Sequence, residues 1–197
     1  MDMDAIFQER YRVILENEKA LTSYVAGEAI DKPQPAMWMI LIPIFFVFFY
    51  FQFKRYKEGL KSFKFDFMKT RKRVLDAVHQ ALVYGTPVNV EELVALGNAP
   101  KEAREAYGAW IEELATFYRS LLQAEGRDYP SLLKSCYKKQ SNCLIALNKL
   151  TTVERGLNKA LVPDLDTQDE RTLMAIASIE RSCEDFRRNQ ANEVFSR

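Results

Sequence analysis

The chain has 197 residues, a formal net charge of +1, 48% hydrophobic residues and 28% charged residues. These values are ordinary for one globular domain with or without appendages. Seven glycines and seven prolines are few, which favours long regular elements over a loop-rich β protein. Three cysteines without close paired spacing argue against a disulfide framework and favour a reducing compartment.

The first segment, residues 1–32, is predicted to contain one amphipathic helix over residues 3–30. Apolar residues recur there at steps of three, four and seven: Phe7, Tyr11, Ile14, Leu21 and Val25. Glu18 interrupts this stripe. Pro33 and Pro35 follow and are expected to end the helix.

Residues 33–53 are predicted to form a membrane segment, because no charged residue lies between Lys32 and Lys54. A helix over residues 33–53 would be about 30 Å long, the thickness of a hydrocarbon core. Trp38 and Tyr50 lie where amphipathic rings favour the headgroup level. A cleaved signal peptide is disfavoured, because about 35 mostly polar residues come first and no small-residue cleavage site follows.

Pro43 leaves two arrangements of this segment open. A Pro-kinked single span would place the N-terminal segment and the main domain on opposite sides, whereas a hairpin turning at Pro43 would place both on one side. The span is favoured, because short hairpin arms leave backbone groups unpaired at depth. The basic flank after the segment predicts the N-terminus outside and the C-terminal domain in the cytoplasm, in a bacterial inner membrane.

Residues 54–76 are interpreted as a basic-aromatic juxtamembrane stem, weakened as a helix at Gly59 and Ser62 so that it bends onto the membrane. The basic side chains either fix topology alone or dock on anionic lipid, and the interleaved phenylalanines favour docking. The predicted membrane and lipid contacts are Trp38, Tyr50, Lys54, Arg55, Lys57, Lys61, Lys69, Arg71, Lys72 and Arg73.

Residues 77–197 are predicted to form an antiparallel helical bundle, which makes the fold class all-α. One helix should stop at Gly85, and a short one should follow, capped by Asn89 and ending near Gly97. The next helix carries a regular apolar pattern: Ala103, Tyr107, Trp110, Leu114, Phe117 and Leu121. A long helix is expected from Pro130 to Leu161, and Thr167 is expected to cap the last one.

Candidate catalytic or metal-binding residues are scarce. His79 is the only histidine, so a di-iron bundle with two Glu-x-x-His motifs is excluded on count. Cys136, Cys143 and Cys183 could join His79 in a Cys3His zinc site, but their spacing inside apolar seams favours core packing. No phosphate-binding loop or hydrolase motif occurs. We therefore predict no enzyme activity, cofactor or metal.

The sequence favours a non-enzymatic, membrane-anchored accessory or scaffold subunit of a larger membrane complex, with a helical domain that binds a cytoplasmic protein partner. The alternative is a single-pass signalling or regulatory module. Anionic lipid is the second predicted partner, and no small-molecule substrate is expected. Nucleic acid is not expected either, because the helix–turn–helix resemblance at Glu91–Arg104 lacks a basic second helix.

Overall fold

The computed structural model describes residues 3–29, 43–97, 99–161 and 170–196, and within these ranges the chain is all-α without a strand. A 3-10 turn at Lys101–Ala103 precedes the fourth helix. The helices are α1 Met3–Ala29, α2 Pro43–Tyr84, α3 Val90–Leu96, α4 Arg104–Gln123, α5 Tyr129–Tyr137, α6 Gln140–Leu161 and α7 Glu170–Phe195. The all-α prediction is confirmed.

Five of these helices form a closed ring, which we call the five-helix ring. In it α1 packs on α2 and α7, α2 packs on α4, α4 packs on α6, and α6 packs on α7. The short helix α3 packs on α4, while α5 packs on α4, α6 and α7. The predicted apolar pattern of α4 faces this core, because each of its six residues from Ala103 to Leu121 is buried. The helical bundle is thus confirmed.

The N-terminal helix α1 is part of the same packed body as the rest of the bundle. Three residues of its predicted apolar stripe, Ile14, Leu21 and Val25, are buried against the other helices of the ring. The guanidinium of Arg10 donates to the carbonyl of Leu122 on α4 at 3.0 Å. The prediction that α1 lies across a membrane from the bundle is therefore wrong, because one folded core cannot be divided by a bilayer.

Helices α1 and α2 run antiparallel in a register fixed by side-chain pairs. Tyr11 donates to Asp76 at 2.6 Å near the start of α1, and Lys64 donates to Ser23 at 3.2 Å near its end. Helix α7 is antiparallel to α1 as well, since Ser178 donates to the carbonyl of Glu28 at 3.3 Å. We call the end of the bundle at Ala29 the upper end.

Helix α2 is continuous from Pro43 to Tyr84 and passes through Gly59 and Ser62 as helix. The predicted bend at those residues is not found. The predicted boundary between a stem and a bundle at residue 76 coincides with no break either, because Val74 and Leu75 already lie in the core. Among the described residues, no helix has a stretch long and apolar enough to cross a membrane. Residues 33–42 of the predicted membrane segment lie outside the described ranges.

The helix predicted to run from Pro130 to Leu161 is two helices. They meet at Lys138, whose positive φ of 61° breaks the hydrogen-bond ladder. The carbonyl of Tyr137 accepts instead from the backbone N–H of Lys139 at 2.6 Å and from the side chain of Asn142 at 3.1 Å. The break turns α5 onto α4 and α7. The predicted cap at Thr167 lies outside the described residues.

The predicted turns after α2 are confirmed. Gly85 ends α2 with a φ of +66°, a conformation that glycine adopts without a steric penalty. Asn89 caps α3 by accepting from the backbone N–H of Glu92 at 3.1 Å. Gly97 is required for space, because a Cβ there would lie 2.2 Å from the ring of Tyr107. Tyr107 in turn hydrogen-bonds Thr70 at 3.0 Å.

We expect Gly97→Ala to lower the free energy of unfolding by about 1–3 kcal/mol, because the new methyl group displaces the Tyr107 ring and its bond to Thr70. The matched control is Gly156→Ala on the exposed face of α6, where nothing lies within 4 Å of the added Cβ. That substitution should stabilise the chain by up to about 1 kcal/mol through helix propensity. Denaturant unfolding measures both, and equal effects would contradict the close contact at Gly97.

Candidate functional site

The most unusual feature of the ring is a set of polar side chains at its centre. Each of the five ring helices contributes one residue, and we call this set the charged cluster. Its members are Glu18 from α1, Arg71 from α2, Trp110 from α4, Glu154 from α6 and Arg187 from α7.

Two arginines and two carboxylates of the cluster alternate in space. Arg71 donates to Glu18 at 3.2 Å and, through its other terminal nitrogen, to Glu154. Arg187 binds Glu154 bidentately, at 2.6 and 2.8 Å. The indole N–H of Trp110 adds a bond to Glu154 at 3.3 Å. The formal charges sum to zero, so each buried charge has an opposite partner.

Burial and charge pairing act in opposite directions on these groups. Burial alone would raise the pKa of Glu154, but the charges of Arg187 and Arg71 outweigh it and hold that pKa at about 2. Burial alone would lower the pKa of Arg71, yet Glu154 and Glu18 raise it above its usual value. Glu154 and Arg71 therefore stay charged at neutral pH, and neither is suited to proton transfer there.

Aromatic rings and a cavity adjoin the cluster. The guanidinium carbon of Arg71 lies 4.7 Å from the centroid of the Phe67 ring and 5.7 Å from that of Trp110, distances at which cation–π attraction contributes. On the upper side of Arg71, a cavity of about 260 Å³ lies between α2, α4, α6 and α7. We call it the upper cleft. Its walls include Phe67, Trp110, Leu157 and Ile179.

The predicted lipid-contact residues have different environments. Arg71 is buried, with 2% of its surface exposed, so its prediction as a lipid contact is wrong: its charge is satisfied inside the ring. Lys61 and Lys69 are exposed. Lys72 is exposed and pairs with Asp76 at 2.6 Å, and Arg73 donates to the carbonyl of Leu96 at 3.0 Å.

The remaining predicted lipid contacts are not described at the side-chain level. Tyr50, Lys54, Arg55 and Lys57 belong to α2, of which only the backbone is described there. Trp38 lies outside the described residues. Lipid contact by these five residues stays a prediction.

The cysteines and the histidine do not form one site. Cys143 is buried in the main core and Cys136 packs against the same core, whereas Cys183 packs in a separate cluster with Leu21 and Val25. The ring of His79 lies 5.1 Å from that of Tyr11, centroid to centroid. Burial raises the pKa of the Cys183 thiol to about 11, which keeps it protonated. In the described part of the chain, no group of three or more possible ligands could hold a metal ion.

The charged cluster was missed as a unit from the sequence, although a signal for it was present. The apolar spacing of α1 indicates Glu18 only as an interruption, and the run of basic residues around Arg71 predicts a lipid contact in a juxtamembrane stem. Comparison of the chain with protein-family models, curated proteins and solved structures finds no match. The function of the cluster therefore has to be argued from its geometry.

We expect Arg71→Met to lower the free energy of unfolding by about 3–5 kcal/mol, because it leaves Glu18 and Glu154 short of a buried partner. The adjacent Lys72→Met is the matched control and should cost at most about 1 kcal/mol, since its pair with Asp76 is exposed. Denaturant unfolding of the purified chain measures both. Similar losses for the two variants would refute a structural role of the cluster.

Glu154 predicts a pH dependence of stability. Its pKa is about 2 when folded, below the ordinary 4.5, so its contribution is present above pH 4.5 and lost as the pH falls toward 2. That contribution is on the order of 3 kcal/mol. The stability difference between wild type and Glu154→Gln should therefore shrink over this interval. The exposed Glu193→Gln is the control, and a constant difference for Glu154→Gln would contradict the assignment.

Proposed function

We propose that the chain is a non-enzymatic, membrane-anchored accessory or scaffold subunit whose helical bundle lies on one side of the bilayer. The observation that carries the proposal is the length of α2. This helix has 42 residues against 27 in α1, and the apolar half of the predicted membrane segment forms its beginning. The bundle core and the anchor are thus joined by one continuous helix.

The register shows where the long helix leaves the bundle. With Tyr11 beside Asp76 and Ser23 beside Lys64, the end of α1 at Ala29 is level with Glu58. About 15 residues of α2 therefore extend beyond the upper end, a length of about 22 Å. The part from Pro43 to Phe53 is apolar except for Gln52, which suits insertion into lipid.

A hairpin anchor fits this arrangement better than a span. Both flanks of the apolar segment, α1 and the second half of α2, belong to one core on one side. The apolar part of α2 is about 16 Å long, close to half of a ~30 Å hydrocarbon core. About 13 residues lie between Ala29 and Pro43, enough for the return path. Pro43 suits a helix start, since its missing N–H would be unpaired there anyway.

The anchor divides the predicted basic block into two groups. Lys54, Arg55, Lys57 and Lys61 directly follow the apolar stretch and would lie at the headgroups, where each contributes roughly 1 kcal/mol with anionic lipid. Lys69, Lys72 and Arg73 lie further along α2, and Lys69 is about 24 Å from the end of the apolar stretch at Phe53. That distance exceeds the Debye length of about 8–10 Å, so these three side chains lie too far from the bilayer to bind its headgroups.

The charged cluster supports a scaffold more than an enzyme. Its groups are paired with one another and hold fixed charges at neutral pH. A cluster of this kind fixes the arrangement of five helices and keeps α2 rigid from the core to the anchor. The bundle then presents its outer helix faces to a protein partner at a constant orientation to the membrane.

The proposal predicts that the first and the last helix of the chain are accessible from the same side of a membrane. Ala20 on α1 and Asn189 on α7 are exposed and are replaced singly by cysteine in a Cys136→Ser background. In right-side-out and inverted vesicles, a membrane-impermeant maleimide should label both variants from one side only, and from the same side. Labelling from opposite faces would restore the single span and refute the hairpin.

The proposal also predicts how the chain is extracted from the membrane. Replacing Phe45, Phe46, Phe48 and Phe49 together by serine should allow high salt and alkali to release the chain, because about four large apolar side chains leave the lipid. Phe65→Ser on the exposed face of α2 should leave the chain bound until detergent is added. Release of the wild-type chain by alkali alone would refute membrane anchoring altogether.

A further inference from the structure

The upper cleft is an open cavity between helices of the bundle. It is bounded at its inner end by the charged cluster, through Arg71, Trp110 and Glu154, and its walls come from α2, α6 and α7. Phe67, Leu157 and Ile179 supply the apolar wall. Its volume of about 260 Å³ exceeds the ~150 Å³ cavity that is known to hold benzene in an apolar core.

The polar groups around the cleft are already paired inside the protein. Arg71 is bound by Glu18 and Glu154 at the inner end. Near the opening, Glu180 accepts from Asn158 at 2.8 Å and lies 3.7 Å from Arg155. An anionic or cationic guest would have to break one of these ion pairs, at a cost of several kcal/mol. A neutral apolar guest needs none broken.

The cleft reaches the upper end of the bundle. Ile179 on its wall is adjacent to Ser178, which bonds the last turn of α1 at Glu28. Its inner end lies deeper, at Arg71, about 27 Å along α2 from the last apolar residue of the anchor, Phe53. The cleft therefore lies between the upper end of the bundle and the centre of the ring.

We propose that the upper cleft binds the hydrocarbon chain of a free fatty acid. A phospholipid that stays in the bilayer is too distant, because Phe67, the wall residue of α2 nearest the proposed anchor, lies about 21 Å along that helix from Phe53. Dispersion and burial of the chain against Phe67, Leu157 and Ile179 supply the affinity, and the neutral cluster limits the depth of entry at Arg71. The inference does not rest on the proposed membrane anchoring, so the two proposals can fail separately.

Trp110 reports occupancy directly. The chain has two tryptophans, so Trp38→Phe leaves Trp110 as the only one. This variant is placed in nanodiscs of acyl-brominated phospholipid, and in a second arm brominated stearate is added to the variant in unlabelled nanodiscs. Bromine quenches only at contact range, so Trp110 should lose emission when brominated stearate is added. Quenching in the phospholipid arm alone would assign the chain to the bilayer and contradict a free fatty acid.

Ile179→Phe fills the cleft and should abolish the quenching, while Ile145→Phe, on an exposed position of α6, should leave it intact. The far-ultraviolet circular dichroism of each variant checks that the helices are retained. Unquenched Trp110 in both arms overturns the inference, and so does quenching that survives in a folded Ile179→Phe variant. A chain that does not enter nanodiscs but is quenched by brominated stearate refutes the anchor and retains the cleft.

Discussion

The pairing of Arg71 and Arg187 with Glu18 and Glu154 is the constraint on which the rest of the bundle depends, because each of these side chains is at most 15% exposed and has its partner on another helix. Removing charge from water costs several kcal/mol per ion unless geometry and hydrogen bonds compensate for it. The compensation here requires α1, α2, α6 and α7 to meet at one register, with Trp110 of α4 closing the set. A shift of one helical turn in any of them would leave a buried charge unpaired, whereas an apolar contact would tolerate the shift. The charged cluster thus favours one register of the helices, because shifted registers would leave a buried charge without its partner.

This constraint extends to the N-terminal half of α2. Arg71 holds one helix that begins in the apolar segment at Pro43 and ends in the core at Tyr84. If the beginning of that helix lies in lipid, the orientation of the whole bundle to the bilayer is set at the charged cluster and not in a flexible stem. A subunit that positions a partner relative to a membrane requires such stiffness. A module that moves across the bilayer as a single span would instead require its two flanks to be separable, and α1 and α2 share a core.

The helices were largely predictable from the sequence, because apolar spacing and capping residues are local signals. The burial of Ile14, Leu21 and Val25, the stop at Gly85 and the cap at Asn89 all follow from such signals. The break at Lys138 was not predictable, since lysine rarely adopts positive φ and the polar run around it resembles an exposed helix face. The partner of α1 was missed for a different reason. Glu18 interrupts the apolar stripe of α1, which does not by itself indicate a buried ion pair. The apolar segment at residues 33–53 predicts that the helices before and after it lie on opposite sides of a membrane.

The signal for the candidate site lies in helical phase and not in composition. Arg71 follows Phe67 by four residues and precedes Leu75 by four, so it occupies an apolar-face position of α2, while Lys69 and Lys72 in the same basic block do not. Glu154 lies between Leu150 and Leu157 in the same phase on α6, and Arg187 lies between Cys183 and Ala191 on α7. Glu18 completes the set on α1, between Ile14 and Leu21. A charge is buried only when an opposite charge compensates it. Two acidic and two basic residues at apolar-face positions of four helices therefore predict that they pair with one another, although the sequence alone does not show which helices are neighbours. Of the nine basic residues between positions 54 and 76, Arg71 is thus distinguished as the one with apolar residues both three and four positions away on either side, namely Met68, Val74, Phe67 and Leu75.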